Sequence, residues 1–252
     1  MAGPPPRRTR RANIPPSSSV QEPPAPPETA ESLKRSERFV GLTLLAGIIA
    51  AVIVLALLSW MAHEMLEGET VRFDQAVRDT VHLIAGTGVT RVMRGLSLFG
   101  GPTVLAPAGG LIAIAFFMRG WQRAGVLLAI TLLGAALLDG ALKSGFRRAR
   151  PEAFFGYPLP HSYSFPSGHA MFGFCFFMAL AALLSPRLTR QPLRTAVWSF
   201  AVIASFLVGL SRVYLGVHYP SDVVAGWGAG FVWVVIVAFG DRIAHRIKHG
   251  LA

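Results

Sequence analysis

Residues 211–222 read SRVYLGVHYPSD and form a short polar stretch between two apolar segments, Thr195–Leu210 and Val223–Gly240. A helix needs about 20 mostly apolar residues to cross the hydrocarbon core of a membrane. Two such segments joined by so short a connector predict a pair of membrane helices. The polar connector is then expected at one face of the bilayer.

Four further apolar segments precede this pair: Phe39–Ala62, Leu96–Met118, Ala124–Leu142 and Phe165–Leu184. In the whole chain 52% of the residues are hydrophobic and only 15% are charged, which excludes an ordinary soluble domain. The segment Leu96–Met118 is interrupted by Gly100-Gly101-Pro102 and by Pro107. We therefore predict an all-α fold, an integral membrane bundle of six transmembrane helices over residues 37–250.

The residues before the first apolar segment have a different composition. The stretches PPPRRTRR, IPPSSS and EPPAPPE bury too little apolar surface to offset the entropy lost on ordering, so residues 1–36 are predicted to be a disordered tail. If this tail is cytoplasmic, the Lys and Arg residues outside the polar clusters lie mostly on the inner side, as the positive-inside rule requires. The net charge of +11 then reflects membrane orientation and not nucleic-acid binding, and both termini are predicted to be cytoplasmic.

The connector between the first two apolar segments, Glu64–Gly95, has a helical pattern of its own. Its apolar residues at helical spacing are Phe73, Val77, Val81 and Ile84, with Asp74, Gln75, Arg78 and Asp79 between them. This pattern predicts an amphipathic helix. Two interpretations stay open: the helix lies in the outer membrane interface and shapes a lateral entrance for a lipid, or it is a connector that packs on the bundle.

Within residues 211–222, His218 and Asp222 are four residues apart. A carboxylate at this spacing can hold one imidazole nitrogen and leave the other nitrogen able to attack an electrophile. In isolation the same spacing also fits a His–Asp pair that only ties a loop together. A metal site is less attractive, because no third and fourth ligand follows at these spacings.

A second polar cluster stands at the start of the fourth apolar segment, where residues 164–174 read SFPSGHAMFGF. Pro166 suits a first helical turn and Ser167 can cap a helix, while Gly168 allows close approach to the backbone. The N–H groups at such a helix start point toward an anion. His169 stands beside them and can donate a proton near neutral pH.

A third cluster follows the third apolar segment, where residues 143–151 read KSGFRRARP. Lys143 and Arg150 would lie close to one face if the helix continued, but Pro151 disfavours helical geometry at Arg150. Both cations can still converge on one anion, Arg as a planar fork and Lys as a point charge. In the alternative interpretation, the basic residues of this cluster only end the helix and anchor it at the lipid headgroups.

The three clusters contain the motifs Lys143-x6-Arg150-Pro151, Pro166-Ser167-Gly168-His169 and Ser211-Arg212-x5-His218-x3-Asp222. Together these motifs resemble the three-part signature of the type 2 phosphatidic acid phosphatase (PAP2) superfamily. Its members are lipid phosphatases related to vanadium haloperoxidases. The stretch LSLFGGP after the connector looks like the bacterial members. One departure is Ala149, because many members read Arg-Pro-Arg-Pro where this chain reads Arg-Ala-Arg-Pro.

The resemblance implies a role for each motif residue. His218 would be the nucleophile and form a phosphohistidine, Asp222 would orient it, and His169 would protonate the leaving oxygen and then help to activate water. The phosphate oxygens would be bound by Lys143, Arg150, Ser167, Gly168 and Arg212. Neither a metal nor another cofactor is implied, since these groups supply the positive charge that phosphoryl transfer needs.

The expected function is hydrolysis of a lipid phosphate or pyrophosphate in a bacterial inner membrane, with the active site on the periplasmic face. The bacterial subgroup suggests undecaprenyl pyrophosphate or phosphatidylglycerophosphate as substrate. Phosphatidic acid, lysophosphatidic acid and diacylglycerol pyrophosphate are close competitors. A membrane phosphotransferase that moves the phosphoryl group to an acceptor alcohol remains the alternative, because the motifs describe only the donor site.

Overall fold

A computed structural model of the chain describes residue 3, residue 45, residues 48–50, 52–60 and 62–64, and residues 67–250. The predicted tail, residues 1–36, lies outside the described residues apart from Gly3, and so does the start of the first apolar segment. Over the described ranges the secondary structure is helical, with loops and no strand.

Eight helices are named here in chain order. The helical residues between 48 and 64 form α1, and the others are α2 (Thr70–Leu83), α3 (Thr87–Phe99), α4 (Pro102–Met118), α5 (Gln122–Phe146), α6 (Gly168–Leu184), α7 (Gln191–Tyr214) and α8 (Pro220–Gly250). A short 3-10 turn, Ser185–Arg187, follows α6.

Four of these helices, α5 to α8, are each long and apolar enough to cross a membrane. The pair α3 and α4 passes the same test as one bent span, with an angle of 46° between its halves. The described residues therefore give four or five spans, and α1, which is shorter where it is described, is not counted among them. A multi-pass all-α membrane protein is confirmed, whereas the number six is not.

The bend lies within Leu96–Met118, the segment that the sequence predicts to be an interrupted span. The break falls at Gly100 and Gly101, and Pro107 lies inside α4 without ending it. A side chain at Gly100 would collide with Val208 of α7, since an added Cβ would lie 2.1 Å from its Cγ2 atom. Gly100 thus lets the bend pack closely against α7.

Helix α6 lies at the centre of the bundle, in contact with α4, α5, α7 and α8. Its buried side chains include Met171, Cys175 and Ala179, which join an apolar core with Leu128 and Leu132 of α5. Apolar side chains elsewhere on the spans are exposed, as expected of surfaces that face lipid tails.

Helix α2 packs against α7 and α8, as in the second interpretation of the connector. Val77 and Val81 join a small apolar cluster, while Phe73 and Ile84 are exposed. The fully enclosed side chains are instead charged, Asp74 and Arg78. A buried charge is tolerated where it is paired or hydrogen-bonded. Asp74 is paired with Arg148, and Arg78 donates to the carbonyl of Glu152.

Candidate active site

His218 lies in the short loop between α7 and α8 and is 1% exposed. Its Nδ1 atom is 3.3 Å from Oδ2 of Asp222, and its Nε2 atom is 3.0 Å from a terminal nitrogen of Arg150. Because a carboxylate accepts and a guanidinium donates, this network assigns the proton of the neutral ring to Nδ1. The lone pair of Nε2 then points toward the cationic side of the site.

The loop reaches this position through Gly216, whose φ of +74° belongs to the left-handed region. An added Cβ there would lie 2.6 Å from the backbone nitrogen of Phe154, so two loops pass in close contact. The N–H of Phe154 donates to the carbonyl of Leu215 across the same contact. Glycine is therefore required for both the turn and the close approach.

Asp222 stands in the first turn of α8 and is fully buried. Its Oδ2 atom accepts from the Tyr219 N–H at 2.9 Å and from the Ser164 hydroxyl, in addition to His218. Its Oδ1 atom accepts from Arg148 at 2.6 Å. Both oxygens are thus engaged, which fixes the plane of the carboxylate.

The protonation state of His218 follows from its surroundings. Burial lowers the pKa of His218 to about 4, the partner Asp222 opposes that shift, and Arg150 and Arg212 add to it. The ring is therefore neutral at pH 7. A neutral imidazole has the lone pair that a nucleophile needs.

Arg150 lies in the loop after α5, which ends at Phe146, as the proline at 151 predicts. Its guanidinium donates to the Ser162 and Tyr163 carbonyls, to the Ser162 hydroxyl, and to the Val217 carbonyl at 2.9 Å. Burial lowers the pKa of Arg150 below its ordinary value, while the charges of Asp222 and Asp139 oppose that shift. The side chain is held rigidly beside Nε2 of His218.

Ser167 caps α6, because its hydroxyl accepts from the N–H of Ala170 at 3.5 Å. Its own N–H donates to the carbonyl of Asp222 at 2.9 Å, which ties the start of α6 to the start of α8. The predicted cap is therefore present. It brings the N-terminus of α6 to the same end of the bundle as the His–Asp pair.

Lys143 stands in the last turn of α5 and is paired with Asp139, with both carboxylate oxygens 2.5 Å from its Nζ atom. An added Cβ on Gly168 would lie 2.8 Å from that nitrogen. The ion pair therefore lies directly against the backbone of Gly168, and a side chain there would displace the ends of Lys143 and Asp139. Sequence reasoning missed Asp139 as a partner, although its i,i+4 spacing to Lys143 was a usable signal.

The ring of His169 lies against the bend between α3 and α4. An added Cβ on Gly101 would be 2.7 Å from its Nε2 atom. The charged and titratable groups that act on His169 are those of Arg212, His218, Lys143 and Arg150. The structure thus brings the second imidazole to the same site as the first.

Arg212, in the last turn of α7, is 1% exposed and donates to the hydroxyl of Ser97 on α3. Ser97 is in turn 3.2 Å from the hydroxyl of Tyr157, whose ring lies under the guanidinium. The Nε atom of Arg212 is buried with no hydrogen-bond partner among the described residues, which leaves a donor for an anion. Sequence reasoning missed Ser97 and Tyr157, since nothing local links them to Arg212.

All eight predicted site residues therefore lie at one end of the bundle, around two imidazoles and three cationic side chains. Such a set is suited to a tetrahedral oxyanion like phosphate. Among the described residues, no group of three or more His, Cys, Asp or Glu side chains is arranged to hold a metal ion.

Comparison with known proteins agrees with this chemistry. The sequence model of the PAP2 superfamily matches residues 124–242, which contain all three polar clusters. Phosphatidylglycerophosphatase B of Bacillus subtilis is 33% identical over 182 residues, 69% of this chain and 86% of that protein. Undecaprenyl-diphosphatase of Sulfolobus acidocaldarius is 34% identical over 158 residues, 61% of this chain and 70% of the relative.

Among solved structures, the crystal structure of a transmembrane PAP2-type phosphatidylglycerolphosphate phosphatase from Bacillus subtilis superimposes with a TM-score of 0.71. The two sequences are 28% identical, and the match covers 76% of this chain and 96% of the other. Sequence, fold and the grouping of the motif residues point the same way, and the chain belongs to the PAP2 superfamily.

Proposed function

We propose that this membrane lipid phosphatase transfers the phosphoryl group of its substrate to Nε2 of His218. The observation that carries the proposal is the orientation of the ring. Asp222 engages Nδ1, and Nε2 is directed at Arg150 in the cationic part of the site. As a PAP2 phosphatase the chain is a hydrolase of phosphoric esters or anhydrides, and the proposal concerns how it performs that reaction.

In the first step, Nε2 of His218 attacks phosphorus and the bond between phosphorus and the leaving oxygen breaks. The negative charge of the bound phosphate offsets the cationic groups around His169, so that this ring is protonated in the complex. His169 gives its proton to the leaving oxygen, so the lipid leaves as an alcohol or, from a pyrophosphate, as a protonated phosphate. Asp222 stabilises the positive charge that His218 acquires. The products are a phosphohistidine and a neutral His169.

In the second step, His169 takes a proton from water and the resulting hydroxide attacks the phosphohistidine. The bond between phosphorus and Nε2 breaks, inorganic phosphate is released, and both imidazoles return to their starting states. Arg150, Arg212, Lys143 and the N–H groups at the start of α6 bind the phosphate oxygens throughout. These groups stabilise the transition-state charge, so the proposed mechanism requires no metal ion.

The proposed substrate is a lipid phosphate or pyrophosphate, with phosphatidylglycerophosphate and undecaprenyl pyrophosphate as first candidates. Their support is the names of the two relatives described above. We place the protein in a bacterial inner membrane with the site on the periplasmic face and both termini in the cytoplasm, by the positive-inside rule. Residues 1–36 are proposed as a disordered cytoplasmic tail and residues 37–250 as the membrane domain.

The test uses detergent-purified full-length protein with a chelator present, and measures phosphate release from phosphatidylglycerophosphate, undecaprenyl pyrophosphate and phosphatidic acid. We expect release by the wild type and none by His218→Ala. Brief incubation with a lipid labelled at its terminal phosphate, followed by alkaline quenching, should label the wild type and not the variant. Turnover by a folded His218→Ala protein refutes the nucleophile. Phosphorylation of an added acceptor alcohol, without release of inorganic phosphate, indicates the transferase instead.

A further inference from the structure

The molecule contains a buried ion network that connects Asp74 of α2 with Arg148 and Asp222 in two of the polar clusters. Asp74 of α2 is 0% exposed. Its Oδ1 atom accepts from the Ser221 N–H at 3.0 Å, and its Oδ2 atom accepts from the Ser221 hydroxyl at 2.6 Å and from Arg148 at 2.8 Å. Ser221 is the residue directly before Asp222, so α2 is fastened to the first turn of α8 beside the His–Asp pair.

Arg148 joins two carboxylates. One terminal nitrogen donates to Oδ1 of Asp222 at 2.6 Å, and the other donates to Oδ2 of Asp74 at 2.8 Å. Its guanidinium also lies over the ring of Tyr219, 4.1 Å from the centroid. The side chain is 11% exposed, so these interactions are largely shielded from water.

We propose that Asp74 and Arg148 are positioning residues for the reaction, which set the orientation and proton affinity of His218 by acting on Asp222. The inference rests on the proposed function, because it takes His218 as the nucleophile. It assigns a task to α2, a helix that contains none of the motif residues.

The geometry supports this assignment because Arg148 is the described donor to the oxygen of Asp222 that faces away from His218. Without that donor, the carboxylate could rotate about its bond to Cβ and lose its alignment with Nδ1. The planar fork of arginine suits two carboxylates at once. A lysine offers a single charged nitrogen and cannot hold both oxygens in the same fixed arrangement.

The charges support it as well. Asp74, Arg148 and Asp222 together carry one net negative charge next to the ring of His218. The other charged or titratable groups that face this ring or its partner are Arg150 from the loop after α5, His169 from α6 and Arg212 from α7. Removing one member of the network therefore changes the charge that His218 experiences while the cations of the phosphate site stay in place.

The two members should act with opposite sign. Arg148→Gln removes a positive charge and leaves two buried carboxylates, which favours a protonated His218. The acidic limb of kcat/KM should then move to higher pH, by about one unit. Asp74→Asn removes a negative charge and leaves Asp222 as the only carboxylate of the network that pairs with Arg148. The acidic limb of kcat/KM should then move to lower pH. Both variants should lose kcat on the order of tenfold to a hundredfold through misalignment, with KM little changed because neither residue touches the phosphate site.

The double variant keeps the test decisive if Arg148→Gln folds poorly. Asp74→Asn with Arg148→Gln removes one charge of each sign, so the net charge of the network stays at one negative charge, that of Asp222. Its acidic limb should return close to the wild-type position while kcat stays low. Arg148→Lys should also keep the wild-type limb and recover only part of kcat.

The matched control is Asp79→Asn, the same chemical change on the exposed side of α2, where the carboxylate contacts only Gln75 among the described residues. It should behave as the wild type. Each protein is purified in full length and compared by folded yield, kcat, KM and the pH profile of kcat/KM. The inference is wrong if folded Asp74→Asn and Arg148→Gln proteins keep the wild-type kcat, or if the limb of folded Arg148→Gln stays at the wild-type position. It is also wrong if the double variant keeps the wild-type kcat.

This failure is distinguishable from failure of the proposed function. If His218→Ala is inactive and the phosphoenzyme forms on the wild type, but the network variants behave as the wild type, only the positioning role is lost. If His218→Ala turns over substrate, the proposed nucleophile fails, whatever the network variants do.

Discussion

Gly101 lies against the ring of His169, the proposed general acid, and replacing Gly101 by alanine adds one methyl group at this contact. An added Cβ would lie 2.7 Å from Nε2 of His169, whereas ordinary contact begins at 3.4 Å, so the ring must move by about 0.7 Å. The backbone of Gly101 tolerates alanine, because its φ is −83° and its ψ is 158°. The Ser97 carbonyl, 3.0 Å from the added carbon, must shift only by a few tenths of an ångström.

A displacement of this size should reduce proton donation to the leaving oxygen. Misplacement of a reacting group by about 1 Å lowers the reaction rate on the order of a hundredfold. Gly101→Ala should therefore lower kcat by about tenfold to a hundredfold. Thermal stability should stay close to that of the wild type, because replacing glycine by alanine also reduces the entropy of the unfolded chain. The assay is steady-state phosphate release, with the folded fraction measured on the same preparations.

The matched control is Gly110→Ala on α4, where an added Cβ meets nothing within 4 Å. It should keep the wild-type kcat. A leaving group that needs no protonation should also restore most of the rate to Gly101→Ala, because it does not depend on the acid. A wild-type kcat for Gly101→Ala with a natural lipid phosphate would refute the placement of His169 against the bend.

Three further predictions concern other parts of the site. Because the pKa of His218 is lowered to about 4, protonation of its ring should reduce kcat/KM only near that pH. In the unfolded chain the same ring takes up its proton near pH 6.5, so the stability contributed by His218 should be lost as the pH falls from 6.5 to 4. Acid titration of unfolding will check this loss. Ser97→Ala removes the hydroxyl that accepts from Arg212 and should lower kcat/KM about tenfold, measured beside Ser144→Ala, an exposed hydroxyl on α5. Gly216→Ala should destabilise the fold by more than about 1 kcal/mol, because its φ is +74° and the added carbon would collide with Phe154; an unchanged melting temperature would contradict this.

The membrane character and the polar clusters could be predicted from local sequence. Helical apolar segments and the i,i+4 spacing of His218 and Asp222 are short-range signals, and the structure places that pair in contact. The sequence shows Gly100 and Gly101 as an interruption of an apolar segment, but it does not show which side chain packs against the bend. Only the folded chain shows that Gly101 is where the ring of His169 lies.

The network of Asp74 could not be predicted in the same way. Its partner Ser221 is 147 residues away along the chain, and only the fold brings the two together. The apolar positions of α2 suggested that its charged side chains would face away from the bundle. The reverse holds for Asp74 and Arg78, because each finds partners that offset the loss of hydration. Arg148 stands in a motif stretch, but its partners Asp74 and Asp222 are each 74 residues away along the chain, so no local pattern links the three.

The bend between α3 and α4 also bears on how the protein is made. Ser97 and Gly101 are synthesised early, yet their partners Arg212 and His169 emerge later, and the proposed nucleophile is part of the last loop before α8. A nascent chain that has inserted only its first spans therefore has no assembled phosphate site. With His218 as the nucleophile, hydrolysis is expected only after the final helix has entered the bilayer, and lipid turnover should then serve as a functional readout of complete membrane insertion.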